Sequence, residues 1–246
     1  MIGIRRIALP GRVVADLEEL TDRIPAGDSK EARRLWRVSR AVRRSLREGL
    51  DVMASGRGYC MYCGDELGST VDHFEPIARN PRRAFDWLNH VLACEYCNSH
   101  HKRDLFPVDA HGNVLLIDPT VEDPLEHLFL VLSIGTYRAL TAKGEQTIKV
   151  CGLNRAQLAR GRETAVNQVS ALVTGWWNAR ERGDEVKRRA MIWTLLDQPH
   201  ADVLHAMLRQ AGMPGARAVF RADDVLIGLL RAPELTEDLQ HSGEAV

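Results

Sequence analysis

Residues 60–104 read CMYCGDELGSTVDHFEPIARNPRRAFDWLNHVLACEYCNSHHKRD. Two Cys-x-x-Cys pairs, Cys60/Cys63 and Cys94/Cys97, stand thirty residues apart within it. Each pair puts two thiolates on one tight turn, and four thiolates complete a closed tetrahedral zinc site. One such pair alone could serve redox chemistry; two together favour the metal. A four-sulfur site keeps no open position for water, so its zinc is expected to shape the chain rather than to react. A small motif with little core of its own needs such a staple.

Inside the staple, Val71–Pro76 reads as a strand that carries Asp72 and His73. Adjacent strand residues point to opposite faces, so the two can do different jobs. Asp72 is placed to reach a metal, and His73 to reach a water. Asn89 lies between the cysteine pairs, and Asn98 directly follows Cys97 at the start of a predicted helix. From there its side chain would face back towards Asp72. His90 and His100 read as bystanders. Arg79, Arg82 and Arg83 in the adjoining loop, with Lys102 and Arg103 after it, are either phosphate contacts or ordinary solvated charges.

Outward on the N-terminal side, residues 11–23 predict a short amphipathic helix, and a second is expected from about Ser29 to Ala54. Asp28 would cap the second, with Glu31 three residues on. Its apolar residues Leu35, Val38, Val42, Leu46, Leu50 and Met53 recur at steps of three and four. Opposite them run Arg33, Arg37, Arg40, Arg44 and Arg47. One face is core; the other is a continuous ridge of guanidinium groups, which bind phosphate bidentately. The competing reading is a solvated face, or one that meets an acidic partner, which the acids at 118–126 and 223–244 could supply within the chain.

On the C-terminal side, Thr136–Thr141 and Thr147–Val150 flank Lys143-Gly144-Glu145 and predict a hairpin. Asn154 reads as the cap of a long helix carrying Leu158, Val169, Val173 and Trp176. Further helices are expected at 184–197, 201–211 and 222–231, followed by a fraying acidic tail over 233–246. Trp176 and Trp177 read as core or interface residues.

The chain has 246 residues and zero net charge. Any attraction to nucleic acid must therefore be local. No run of apolar residues suits a membrane span, and the N-terminus lacks the apolar core of a signal peptide. A cytoplasmic protein is expected, with cysteines that bind metal rather than form disulfides. The fifth cysteine, Cys151, reads as a small buried residue.

Asp-His, a central Asn and a metal-binding residue directly after the second cysteine pair resemble the HNH, or ββα-metal, nucleases over about residues 57–107. The HNH domain of the CRISPR effector nuclease is similar in using Asp-His and two Asn residues nine apart. A narrower likeness lies in DHFEP, FDWLNHVLACEYCN, FP and LLIDPTVEDPLEHL. These look like the HNH subunit of the Septu antiphage system and retron-associated relatives, which usually have Glu for Asp72 and often Lys for His101.

The resemblance implies that Asp72 and Asn98 hold Mg²⁺ (or Mn²⁺), with His101 as a further candidate, and that His73 is the general base. Asn89 would hold the loop or the His73 ring. It also implies a DNA substrate (RNA remaining open), an antiviral role and an ATPase partner. The chain itself carries no G-x-x-x-x-G-K-[ST] loop. The expected fold is mainly α, with a small α+β (ββα-metal) zinc-stapled nuclease motif inserted between helical segments. The parts are residues 1–56 with the arginine ridge, the nuclease motif 57–107, and a mostly helical region 108–246 for partner or nucleic-acid contact. The alternative is a zinc-stapled binding subunit that does not cut, or cuts only with its partner.

Overall fold

The computed structural model describes residues 1–243. Its centre is a two-stranded antiparallel sheet. β1 (Thr70–His73) pairs with β2 (His90–Ala93) in a register that sets Asp72 opposite Val91 and His73 opposite His90. All four β2 residues are buried. A helical segment over Tyr96–Lys102 follows, completing a ββα unit. It is wound in π register: the Arg103 amide donates to the Asn98 carbonyl at 2.7 Å, five residues back.

Helices surround this unit, as expected for a mainly α chain. α1 (Gly11–Asp22), α2 (Ser29–Val38) and α3 (Arg40–Met53) precede it. The Asp28 side chain accepts the Glu31 amide at 2.9 Å and starts α2. Leu17, Leu20, Ile24, Leu35 and Leu46 bury themselves with Ile77, Ala84 and Phe85 from the loop between β1 and β2. The N-terminal helices thus form the wall on which that loop rests.

The single helix expected over 29–54 is two helices. Ser39 breaks it with φ −80° and ψ 60°. Val38, expected in the core, is 60% exposed. The break lets α2 carry Trp36 onto the rings of His73 and His90 while α3 buries Leu46, Leu50 and Met53. The five ridge arginines therefore leave from two axes, not one.

After the ββα unit, β3 (Leu128–Val131) pairs with β4 (Thr136–Ala139). This replaces the hairpin expected at 136–150. Residues 142–150 are instead α4 (Ala142–Val150), because the Thr141 hydroxyl caps the Gly144 amide and starts a helix. Asn154 does not cap the next helix either. Its side chain accepts the Tyr137 amide at 2.7 Å and donates to the Tyr137 carbonyl at 2.9 Å, closing the free edge of β4.

α5 (Ala156–Glu181) is the long axis of the C-terminal region, and α6 (Glu185–Asp197), α7 (Ala201–Ala211), α8 (Ala216–Val219), α9 (Asp224–Arg231) and α10 (Pro233–Gly243) follow it. Leu158, Val169, Val173 and Trp176 are all buried in α5. The segment expected to fray is helical to Gly243: Leu235 is fully buried and Asp238 accepts the Trp176 indole N–H at 2.7 Å. Residues 244–246 lie outside the described residues. One apolar core joins this region to the ββα unit, running from Leu92 and Cys97 through Leu153 and Leu158 to Leu204. A buried ionic knot pins the same junction. Asp202 accepts from Arg162 Nε and the Met1 ammonium, each at 3.0 Å, and from the Tyr137 hydroxyl.

Candidate active site and metal centre

Cys60 and Cys63 lie on the turn before β1, and Cys94 and Cys97 on the step from β2 into the Tyr96–Lys102 helix. All four are buried, and their sulfurs lie within 4.8 Å of one another. The Cys63 and Cys94 sulfurs are 3.9 Å apart. Tetrahedral zinc with Zn–S bonds of about 2.3 Å requires sulfurs separated by about 3.8 Å, so the cluster fits that ion. The Cys97 amide points at the Cys94 sulfur at 3.4 Å, and Arg155 Nη1 approaches the Cys97 sulfur at 3.7 Å. Donors of this kind offset thiolate charge around a metal. Cys151 is buried beside the cluster, and burial pushes its thiol up to about 12, which leaves it unreactive at neutral pH.

A separate cleft of about 260 Å³ is lined by Asp72, His73, Asn98, Arg33 and Arg103 among others, and by none of the four cysteines. β1 supplies the first two and the π-wound helix the third. A larger hollow of about 670 Å³ lies around Trp193 and Gln168 and contains none of them.

His73 is fixed by its far nitrogen. Nε2 lies 3.0 Å from the Ala84 carbonyl. A carbonyl only accepts, so Nε2 carries the proton and Nδ1 keeps the lone pair. Among the described residues Nδ1 has no hydrogen-bond partner. His90 Nε2 reaches the same carbonyl at 3.1 Å. Trp36 stands edge-on to His73 at 4.4 Å and lies nearly parallel to His90 at 5.3 Å. Burial in this aromatic box lowers His73 to about 4, so the ring is neutral at physiological pH.

Asn98 donates from Nδ2 to Thr70 Oγ1 at 3.0 Å. Thr70 spends its own hydroxyl proton on the Ala93 carbonyl, which fixes the amide orientation and leaves Asn98 Oδ1 free. Asp72 is 4% exposed and accepts the Tyr62 hydroxyl at 2.7 Å. Burial raises its carboxyl, and Lys102 and Tyr62 pull against that. One carboxylate and one amide oxygen on a shared cleft match the ligands of a hard divalent cation that retains several waters.

Asn89 is fully buried, does not line the cleft and makes no hydrogen bond to the His73 ring. Its side chain accepts the Glu75 amide at 2.7 Å and donates to the carbonyls of Glu75 and Arg83, each at 3.0 Å. It therefore holds the peptide beside Ala84, the carbonyl on which His73 hangs.

Several expected phosphate contacts are spent elsewhere. Lys102 is fully buried, with Nζ 3.1 Å from Asp72 Oδ2 and 2.8 Å from the His73 carbonyl. It cannot meet a phosphate in this arrangement. His101 is turned off the cleft and rests against Gly152, where an added Cβ would come within 2.6 Å of its ring. It is not placed as a ligand beside Asp72. Arg83 is engaged by Glu75 at 3.1 Å and Asp86 at 2.9 Å, and Arg79 lies over the Phe106 ring. Arg82 is exposed beside Asp22 at 3.6 Å.

Of the ridge, Arg33 meets Asp104 at 3.5 Å and Arg47 meets Asp51 at 2.8 Å. Arg37, Arg40 and Arg44 make no salt bridge among the described residues. Among the acids at 118–126 and 223–243, Glu122 pairs with Lys143, Asp123 with Arg209 and Asp238 with Arg188, and none of the described ones forms a salt bridge with the ridge.

Residues 60–104 match the HNH endonuclease family. The chain is also 30% identical over 142 residues to the Septu protein PtuB of Bacillus mycoides strain KBAB4, an alignment that covers 46% of this chain. The chain spans about half the length of that curated relative. Trp36 and Arg6, both outside the HNH segment, support it, and no motif in the sequence points to either. Arg6 donates to the carbonyls of Trp87 at 2.8 Å and His90 at 3.1 Å, on either side of Asn89, and to Thr120 at 2.7 Å. His90 is no bystander; its position opposite His73 is visible only once the strand register is known. No helix among the described residues is long and apolar enough to cross a membrane.

Proposed function

We propose that this chain is a metal-dependent HNH endonuclease that hydrolyses phosphodiester bonds in DNA, acting in the cytoplasm as an antiphage defence effector. One observation carries the reading. His73 hangs by Nε2 from the Ala84 carbonyl, which leaves Nδ1 without a hydrogen-bond partner among the described residues, and it lines one cleft with Asp72 and Asn98.

His73 Nδ1 takes a proton from the attacking water. Because burial keeps the ring neutral, the base is available throughout the physiological range. Asn89 and Arg6 hold the backbone that holds the ring. Asp72 and Asn98 Oδ1 would hold Mg²⁺, with Mn²⁺ as an alternative, and the ion would neutralise charge on the scissile phosphate. Arg33 and Arg103 flank the cleft as phosphate contacts, and Arg37, Arg40 and Arg44 extend the basic surface along α2 and α3. Zinc on the four cysteines keeps the two sides of the ββα unit together. On this reading residues 1–56 bring nucleic acid to the HNH segment, and residues 108–246 serve a partner, proposed to be an ATPase from the likeness to Septu subunits.

A second reading is a binding subunit whose cutting requires that partner; the engagement of Asp72 by Lys102 favours it. Supercoiled plasmid incubated with Mg²⁺ separates the two. Nicking by the wild type and none by His73→Ala supports the first. Equal nicking by both overturns the assignment of His73, and cutting only after addition of an ATPase supports the second.

A further inference from the structure

The carboxylate proposed to hold the exchangeable cation is already neutralised from within the chain. Lys102 lies 3.1 Å from Asp72 Oδ2 and 3.2 Å from Oδ1, and 2.8 Å from the His73 carbonyl oxygen. Its side chain is fully buried, and that of Asp72 is 4% exposed. Carboxylate and carbonyl oxygens converging on one positive centre are also what a hard divalent cation takes. Tyr62 occupies a further lone pair of Oδ2 at 2.7 Å. With Tyr62 and Lys102 both in place, the carboxylate has little left to offer a second cation.

The helix that carries Lys102 is wound to put it there. In π register a turn holds more than four residues. Lys102, four residues after Asn98, therefore comes round to the Asn98 face, while His101 is turned to the flank against Gly152. A buried ammonium is retained only where it is paired, since an unpaired charge in the interior is costly. Lys102 has two acceptors among the described residues, Asp72 and the His73 carbonyl, so giving up the first leaves it on the second alone.

We infer that Lys102 is the resident counter-cation of Asp72 and competes with the divalent metal for that carboxylate. Metal binding to the free chain is therefore weak, since each ion that enters must displace a buried ammonium. The inference rests on the reading of Asp72 as a cation ligand in the proposed nuclease.

The test is calorimetric titration of MnCl2 into the zinc-loaded chain of residues 1–246, as wild type, Lys102→Met, Asp72→Asn and the double variant. Lys102→Met keeps the buried stem and removes the charge, and Lys102→Gln serves as a second neutral variant should Met fold poorly. The neutral variants are expected to bind Mn²⁺ at least about tenfold more tightly than wild type. Asp72→Asn is expected to lose binding in both backgrounds. Thermal melting gives a second readout: Mn²⁺ should raise the melting temperature of Lys102→Met more than that of wild type. If the neutral variants bind Mn²⁺ no more tightly than wild type while Asp72→Asn abolishes binding, the competition is refuted and the ligand role of Asp72 survives. If Asp72→Asn binds Mn²⁺ as wild type does, the ligand role itself falls and the competition with it.

Discussion

The four-sulfur cluster and the Asp72 cleft lie on one ββα unit, yet they present opposite electrostatic settings to a cation. At the cluster, four buried thiols face one another, and nothing else among the described residues offers a full positive charge to all four. Arg155 reaches only one sulfur, at 3.7 Å. At the cleft, Lys102 already stands against the carboxylate. On the proposed reading the first site depends on a zinc ion for its fold. The second is electrostatically satisfied without one. On the proposed reading a structural ion and an exchangeable ion would coexist on one small unit, because one site lacks an internal substitute and the other contains it.

The largest effect should come from the cluster. Cys97→Ser, or stripping zinc with a strong chelator, is expected to unfold the HNH segment, since structural zinc contributes about 10 kcal/mol or more to such motifs. Circular dichroism and metal analysis check this; a chain that keeps its melting curve without zinc would break the contrast between the two sites.

A smaller effect is expected at Asn89. Asn89→Ala leaves the Glu75 amide and the carbonyls of Glu75 and Arg83 without their partner. A loss of about 3 kcal/mol in chemical denaturation is expected. Cleavage should fall with it, because the Ala84 carbonyl that fixes His73 loses its support. Full stability in this variant would show that the loop is held by Arg6 and the N-terminal helices alone.

Acid should act through the same loop. His73 is held near 4, below its ordinary 6.5, so between those values the unfolded chain binds a proton that the folded chain refuses. Stability from this group is present above about 6.5 and is lost as pH falls towards 4. His90, buried beside it, shifts in the same direction. Melting temperatures measured across that range should fall more steeply for wild type than for His73→Gln.

The smallest effect per residue belongs to the ridge. Arg37, Arg40 and Arg44 changed together to Ser should weaken DNA binding nearly uniformly across sequences. The salt dependence of binding should flatten by roughly one unit for each phosphate that is no longer neutralised. These arginines touch no core, so folding should be unchanged.

The two sites also differ in how much of them the sequence discloses. Cysteine spacing is local, and zinc geometry follows from it, so Cys60, Cys63, Cys94 and Cys97 are legible directly. Asp72, His73, Asn89 and Asn98 are visible as a set through the family resemblance. Lys102 reads as a surface cation because its partner lies thirty residues away and the π turn that redirects it has no composition signal. His101 is misplaced for the same reason. Trp36 is hidden by the Ser39 break: on one straight helix it falls between the apolar and basic faces, and only the kink sends it to His73. The expected hairpin fails because Lys143-Gly144-Glu145 resembles a turn, while the Thr141 cap that makes it a helix is a weaker signal.

The proposed function assigns two cations separate duties. The most direct measurement is plasmid cleavage alongside zinc content on one sample, taken through mild EDTA and then Mg²⁺ restoration, with His73→Ala in parallel. Mild chelation is predicted to stop cleavage while zinc and fold remain, Mg²⁺ to restore it, and His73→Ala never to cut. Cleavage that persists in EDTA with zinc still bound, or that His73→Ala performs equally well, would contradict it.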